Sequence, residues 1–222
     1  LYCKIPFAKA TSTNPDILKT AKIIGRSPNS VKMKIGNFGS FDPELKKRGI
    51  VGLANASKLD EEIWNEFNSN WDKLAFESEL LIAKFQGKEI EEIIPKVDID
   101  NLPMGKDRIA SVKIRVNQNF FRQTILSTYY NTCCITGIKL PQLLVASHIK
   151  PWAIDEKNRL NPHNGLCLNA LHDKAFDNKL ISITPDYVIK VSEKIREHEA
   201  NEYVNYMFEN IHDTKMKIPE RF

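Results

Sequence analysis

The 222-residue sequence lacks the features of a membrane or secreted protein. No apolar run approaches the roughly 18 residues that a membrane-spanning helix requires. No signal-peptide pattern is read ahead of the first element. Cysteine is scarce, at four residues, and Cys133 and Cys134 are adjacent, which makes a poor disulfide framework. No internal repeat or low-complexity tract is evident. These absences point to a globular chain in a reducing cytoplasm with no membrane partner. Hydrophobic residues at 42% and charged residues at 27% suit such a chain, which is long enough for one large domain or two small ones.

The net charge of +4 conceals an uneven distribution. Residues 1–50 hold ten Lys/Arg against three Asp/Glu, and residues 106–165 hold nine against three. Between them, residues 51–105 hold five against twelve. Two basic blocks around an acidic one suggest two surfaces that face a polyanion, although lysines also decorate ordinary solvated faces.

The first basic block reads as a helix-turn-helix. In "NPDILKTAKIIG", Ile17, Leu18, Ala21 and Ile24 share a face, Asn14 is the N-cap, Pro15 takes N1, and Gly25 closes the helix. Ser27 and Pro28 start a second helix, with Val31, Ile35 and Phe38 inward. Arg26, Asn29, Lys32 and Lys34 then point outward as candidate DNA contacts. A structural helix pair is the alternative. "SKLDEEIWNEFNSNWDKLAFESELLIAKF" reads as a long helix or a broken pair, opened by a Ser57–Asp60 capping box, with Ile63, Phe67, Trp71, Leu74 and Leu81 on one buried face. The expected division is a helical domain over 1–86, a linker over 87–110 and a second domain over 111–222.

The second domain opens with a helix over "QNFFRQTILSTYY", which buries Phe121, Ile125, Leu126 and Tyr129 and leaves Arg115 and Arg122 for phosphates. Strands are expected at "CCITG" and "LLVASHI", then a loop, a helix from "LCLNALHDKAFD", and a hairpin turned at Pro185 and Asp186. His148 at the strand end, Asn164 in the loop and His172 on the helix come from three places that converge if these elements pack together. A lone histidine is more often a structural residue. This His–Asn–His order on a strand–loop–helix frame favours chemistry. Imidazole can take a proton from water near neutral pH if its second nitrogen donates to a fixed acceptor, and a loop asparagine can hold that acceptor in place. A neutral histidine on the helix is a reasonable metal ligand.

The pieces "CCITG", "ASHIKPW" and "NPHNGLCLNALHDKAFDNKLISI" resemble, in order, the HNH endonucleases of ββα-metal fold, in the branch found in bacterial restriction-type enzymes. The first fifty-odd residues are also similar to the front half of HNH restriction proteins. The resemblance implies an α+β chain, a helical DNA-recognition domain followed by an HNH nuclease domain. It also implies a metal-dependent, cytoplasmic DNA endonuclease of restriction or defence type, with His148 as general base, Asn164 orienting it, and His172 as metal ligand. Mg²⁺ is the first expected cofactor, with Mn²⁺ or Ni²⁺ as substitutes. The expected partner is double-stranded DNA, touched by Arg26, Asn29, Lys32, Lys34, Arg122 and Lys150, and a homodimer is compatible with it. Many members carry Asp before the base, where this chain has Ser147, so the ligand set is His172 with phosphate oxygens and water, or His172 helped by Asp173 or Asp177; Asp177 reads more readily as a turn residue before the last strand. Cys133, Cys134 and Cys167 lack the spacing of a zinc brace, and Cys133 and Cys167 read as buried small residues. Two rival functions are a catalytically degenerate DNA-binding regulator, favoured by Ser147, and an effector or toxin-like nuclease of little sequence choice.

Overall fold

Proline and small polar caps punctuate the first fifty residues, and helices follow from that punctuation in a computed structural model that describes residues 1–94, 108–196 and 202–219. Helix α1, Pro15–Ile24, starts where the Asn14 side chain accepts from the amides of Asp16 and Ile17. It ends at Gly25, whose φ of 65° is the left-handed conformation glycine adopts without strain. Helix α2, Pro28–Gly39, is capped by Ser27, which accepts from the Ser30 amide. The pair closes on Ile17, Ala21, Val31 and Ile35, with Ile5 beneath them.

Helix α3 is short, Pro43–Lys47. Helix α4, Lys58–Phe67, opens with both halves of the Ser57–Asp60 capping box. The chain then leaves helical geometry at Asn68 and Ser69, the latter at a φ of 67°, before α5 runs Trp71–Gln86. This break separates the expected apolar face. Ile63 and Leu81 are 37% and 54% exposed, whereas Trp71 and Leu74 pack on the core.

The expected linker begins as packed structure. Helix α6, Ile90–Ile93, places Ile90 and Ile94 in the main core. Residues 95–107, the middle of that linker, lie outside the described residues. Helix α7, Arg108–Thr128, is the central element, and the helical region extends to its end. Val116, Phe120, Phe121 and Ile125 bury its inner side. Asp72 of α5 accepts from Asn117 at 2.5 Å and pairs with Lys113, so the start of α5 is tied to α7.

Beyond α7, "CCITG" is a turn and not a strand. The Gly137 amide donates to the Cys133 carbonyl, and the Cys133 amide to that of Ile138. Strand β1, Leu144–His148, instead pairs antiparallel with β2, Gly165–Asn169, with His148 opposite Gly165. The second strand was hidden in the sequence because "GLCLN" is buried at every position and runs straight into a helix, which leaves no alternation to read. Helix α8, Ala170–Asp177, follows immediately, capped by Asn169. These two strands and the helix form the ββα unit of an α+β fold.

A second hairpin, β3 (Ile181–Ile183) and β4 (Ile189–Val191), turns at Pro185 and Asp186 as expected. Helices α9 (Glu193–Arg196) and α10 (Glu202–Phe208) follow; residues 197–201, including His198, lie outside the described residues. Phe208 is buried, and Tyr203 and Tyr206 are exposed. No helix among the described residues is long and apolar enough to cross a membrane.

Candidate active site

Alternation along β1 sends neighbouring side chains to opposite faces of the hairpin. Leu144, Ala146 and His148 face α7, and Ser147 faces α8. The His148 imidazole lies flat on Phe121, with ring centres 3.8 Å apart and planes 7° from parallel. Trp152 meets it edge-on at 5.5 Å. The Arg159 guanidinium covers the outer side of Trp152 at 5.2 Å, so the loop after β1 folds back over the histidine. His148 also lines a groove of about 380 Å³ between α7 and β1, together with Gln118, Ala146 and Trp152.

The hydrogen bonding of His148 fixes its tautomer. Nε2 lies 2.9 Å from the Arg159 carbonyl oxygen. A carbonyl only accepts, so Nε2 carries the proton and Nδ1 keeps its lone pair. Burial pushes the His148 pKa below the ordinary histidine value, against the pull of the Arg159 carbonyl and the Asp177 carboxylate. The ring is therefore neutral over a wider range of pH than a solvated histidine.

Asn164 holds the loop that supplies that carbonyl. It is only 7% exposed, and both ends of its amide are used. Oδ1 accepts from the Lys150 amide at 2.7 Å, and Nδ2 donates to the carbonyls of Lys150 and Asn158 at 3.1 and 3.2 Å. Its backbone carbonyl accepts from Ile149. The two ends of the loop are thus tied together one residue before Arg159. Asn164 does not touch the imidazole; it acts on it through the backbone.

His172 sits elsewhere in the hydrogen-bond scheme. Its side chain is fully buried. Nε2 donates to the Met207 carbonyl at 3.1 Å, and Nδ1 accepts from Asn169 Nδ2 at 2.8 Å. Phe208 packs edge-on against the ring. Both nitrogens are occupied, so in this arrangement the ring has no lone pair to offer a cation, and the expected ligand role does not fit. The histidine instead joins the start of α8 to α10. Sequence spacing could not show this, because Met207 and Asn169 are partners supplied by the fold.

The carboxylates near β1 are Asp173 and Asp177, one turn apart on α8. Burial raises the Asp173 pKa, with Asp177 adding to it and Ser147 opposing it. Ser147 is 3% exposed, and its hydroxyl lies close enough to lower the Asp173 carboxyl yet makes no well-formed hydrogen bond. No group of three or more His, Cys, Asp or Glu among the described residues is arranged to hold a metal ion. No disulfide joins the four cysteines among the described residues; burial pushes Cys167 up to about 12, and Cys134 also upward.

The expected DNA contacts divide into free and committed groups. Arg26, Asn29 and Lys32 are exposed at the turn between α1 and α2 and along α2. Lys34 is exposed but bonded to the buried Asp60 at 2.6 Å. Arg122 donates to the carbonyls of Leu144 and Pro141, which bolts β1 to α7. Lys150 is exposed on the loop beside His148, with Asp155 at 3.7 Å. His163 is a loop residue whose pKa burial lowers.

A search of curated proteins finds no match to the chain. A family model described as HNH endonuclease matches residues 133–184, which span the turn at Cys133, the β1–β2 hairpin, α8 and β3. That segment contains His148, Asn164 and the Asp173–Asp177 pair. Residues 133–184 are therefore an HNH endonuclease domain, carried behind a helical region that ends at Thr128.

Proposed function

We propose that the protein is a DNA endonuclease of restriction or defence type in which His148 is the general base. The observation that carries this reading is the His148–Arg159 hydrogen bond, which leaves Nδ1 as the ring's one acceptor on a loop that also presents Lys150. In the reaction, Nδ1 takes a proton from the attacking water, whose oxygen bonds phosphorus as the bond from phosphorus to the 3′ oxygen breaks; the leaving 3′ oxygen takes a proton from solvent. The imidazolium that forms keeps its Nε2–H on the Arg159 carbonyl, so no reorientation is needed. Asn164 maintains that carbonyl, and Phe121 and Trp152 hold the plane of the ring.

HNH nucleases use a divalent metal, and the oxygen donors beside β1 suit Mg²⁺. Mg²⁺ takes one or two carboxylates and completes its shell with waters and substrate phosphate. Asp173 and Asp177 would hold it, with the Ser147 hydroxyl as a neutral neighbour. A cation held there would supply charge neutralisation for the scissile phosphate and the leaving oxygen. Mn²⁺ would substitute; Ni²⁺ loses the rationale that an imidazole ligand gave it. In the helical region, Arg26, Asn29 and Lys32 would contact duplex DNA. Lys34 would do so only by leaving Asp60, a buried carboxylate held low by its bonds to Lys34, Ser57 and Asn37 against the upward push of burial.

The test is nicking of supercoiled plasmid, modified and unmodified, with Mg²⁺ and with EDTA. The reading requires cleavage that EDTA abolishes, and that Asp173→Asn with Asp177→Asn recovers only at far higher Mg²⁺. Metal dependence unchanged in the double variant would rule out this ligand pair.

A further inference from the structure

Asn164 is followed by Gly165, and the two form the one Asn–Gly pair in the sequence. Each residue is fixed by a separate need. Asn164 ties Lys150 to Asn158. Gly165 lies against α7, where a Cβ would stand 2.3 Å from Ile125 Cδ1 and 2.8 Å from Phe121 Cζ. Packing therefore demands glycine directly after an asparagine that the loop requires. Glycine leaves its own backbone nitrogen open to the preceding side chain, because it carries no Cβ and reaches the widest range of φ and ψ. In an unrestrained chain that nitrogen attacks the asparagine carboxamide and deamidates it.

The fold closes this route at both reacting groups. The Gly165 amide donates to the Pro162 carbonyl. The carboxamide accepts from the Lys150 amide and donates to the carbonyls of Lys150 and Asn158, so it cannot swing onto the Gly165 nitrogen without breaking those bonds. Asn164 is also buried, which keeps water and base from it. A comparator stands elsewhere in the chain. The Asn68–Ser69 pair, in the break between α4 and α5, is exposed at both residues. The serine side chain hinders attack there, so this pair is intrinsically the slower of the two.

We propose that Asn164 is a deamidation site which the folded loop keeps shut, and that opening of the loop exposes it to an irreversible loss of the tie. In the open loop the Gly165 nitrogen gives its proton to hydroxide and bonds Asn164 Cγ. The Cγ–Nδ2 bond breaks, and the nitrogen leaves as ammonia with a proton from water. Water then opens the five-membered imide at either carbonyl, which leaves aspartate or isoaspartate. Nothing is oxidised or reduced. Aspartate offers acceptors alone, so the carbonyls of Lys150 and Asn158 lose their donor and face a negative charge. Isoaspartate adds a carbon to the backbone just before the Gly165–His148 strand pair. Neither product rebuilds the tie. The loss of cleavage that follows rests on the nuclease reading; the modification itself does not.

The experiment ages the full chain in mildly alkaline buffer, folded and in guanidinium, and follows deamidation at each asparagine by peptide mass spectrometry. In guanidinium Asn164 should react ahead of Asn68. In the folded protein the ratio of the Asn164 rate to the Asn68 rate should fall about tenfold or more, because loop opening must precede attack. Asn161→Ala removes the side chain that caps the turn at the His163 amide and donates to Asn158. It should speed deamidation at Asn164 several-fold and leave Asn68 alone. Aged folded protein should exchange the amides of Ile149 and Lys150, both of which donate to Asn164, several-fold faster. An equal ratio in folded and denatured chain, a comparison that needs no variant, overturns the closed site. An unchanged Asn164 rate in folded Asn161→Ala overturns the loop as its gate, and unchanged exchange after ageing overturns the lost tie. None of these readouts involves DNA, so a protein that ages in this way yet cuts no DNA would remove the nuclease reading and leave the site standing.

Discussion

The imidazole of His148 is tuned by three contacts, each with a separate consequence. The Arg159 carbonyl selects the tautomer, Phe121 holds the ring plane, and Trp152 shields its edge. A base works only when deprotonated, and burial lowers its pKa. Cleavage should therefore persist as pH falls below about 6.5, the ordinary histidine value, and decline only at lower pH. Trp152→Ala admits water to the ring and should move the acid limb of the pH–rate profile upward. A limb that stays in place would assign it to another group. His172 makes the opposite case at the same scale. Its two ring bonds and full burial give it a structural task. His172→Ala should lower the melting temperature with the metal requirement of any residual activity unchanged; a raised metal requirement in folded protein would restore it as a ligand.

Among the elements, the loop from Ile149 to Asn164 and the close approach of α7 to β2 decide the geometry. Asn164→Ala removes three bonds that tie Lys150 to Asn158 and should cost cleavage about 10–100-fold, the range for groups that orient a reacting residue. Normal kcat in that variant would show that the loop holds itself. Gly165 permits the helix approach: a Cβ there would stand 2.3 Å from Ile125 Cδ1 and 2.8 Å from Phe121 Cζ. Gly165→Ala should destabilise by about 1–3 kcal/mol, as overpacking does, and displace the Phe121 stack, which denaturant melts and the His148 pH profile would report together.

Much of this was legible in the sequence where a local signal existed. The caps at Asn14, Ser27 and Ser57, the left-handed Gly25 and the Pro185–Asp186 turn act through neighbours in the chain, and all appear where expected. His148 at a strand end and Asn164 in a loop were placed by the same kind of signal. What could not be read depends on distant partners. The β2 strand has no alternation, the Arg159 carbonyl carries no side-chain signature, and the burial of His172 is set by Met207, 35 residues further along. Lys34 looked like a free cation until the fold brought Asp60 to it.

Across the whole molecule, α5, α6 and α7 share a core with the β1–β2 hairpin, while α1 with α2, and α8 with the second hairpin and α10, close on clusters of their own. Lys4 pairs with Glu79 at 2.7 Å, α5 is pinned to α7, and α7 carries the hairpin. This continuity gives stability a pH dependence. His148, His163 and His172 all have pKa values lowered by burial. Each binds its proton more weakly when folded than when unfolded, so the stabilisation is complete above the unfolded value of about 6.5. It is lost as pH falls through the lowered folded values. The melting temperature should drop on acidification below that point and stay level above it; a profile flat through this window would mean these rings are solvated.

At the same scale, the proposed division of labour, a helical region that holds DNA and a domain that cuts it, turns on one residue. Single-turnover nicking of supercoiled plasmid near neutral pH, with saturating Mg²⁺, compares the protein with its His148→Ala variant while DNA binding and melting temperature are followed in parallel. Removal of the general base should slow cleavage by about 10²–10⁴ and leave both binding and melting nearly unchanged. Cleavage by the folded variant at more than a tenth of the original rate would contradict the account.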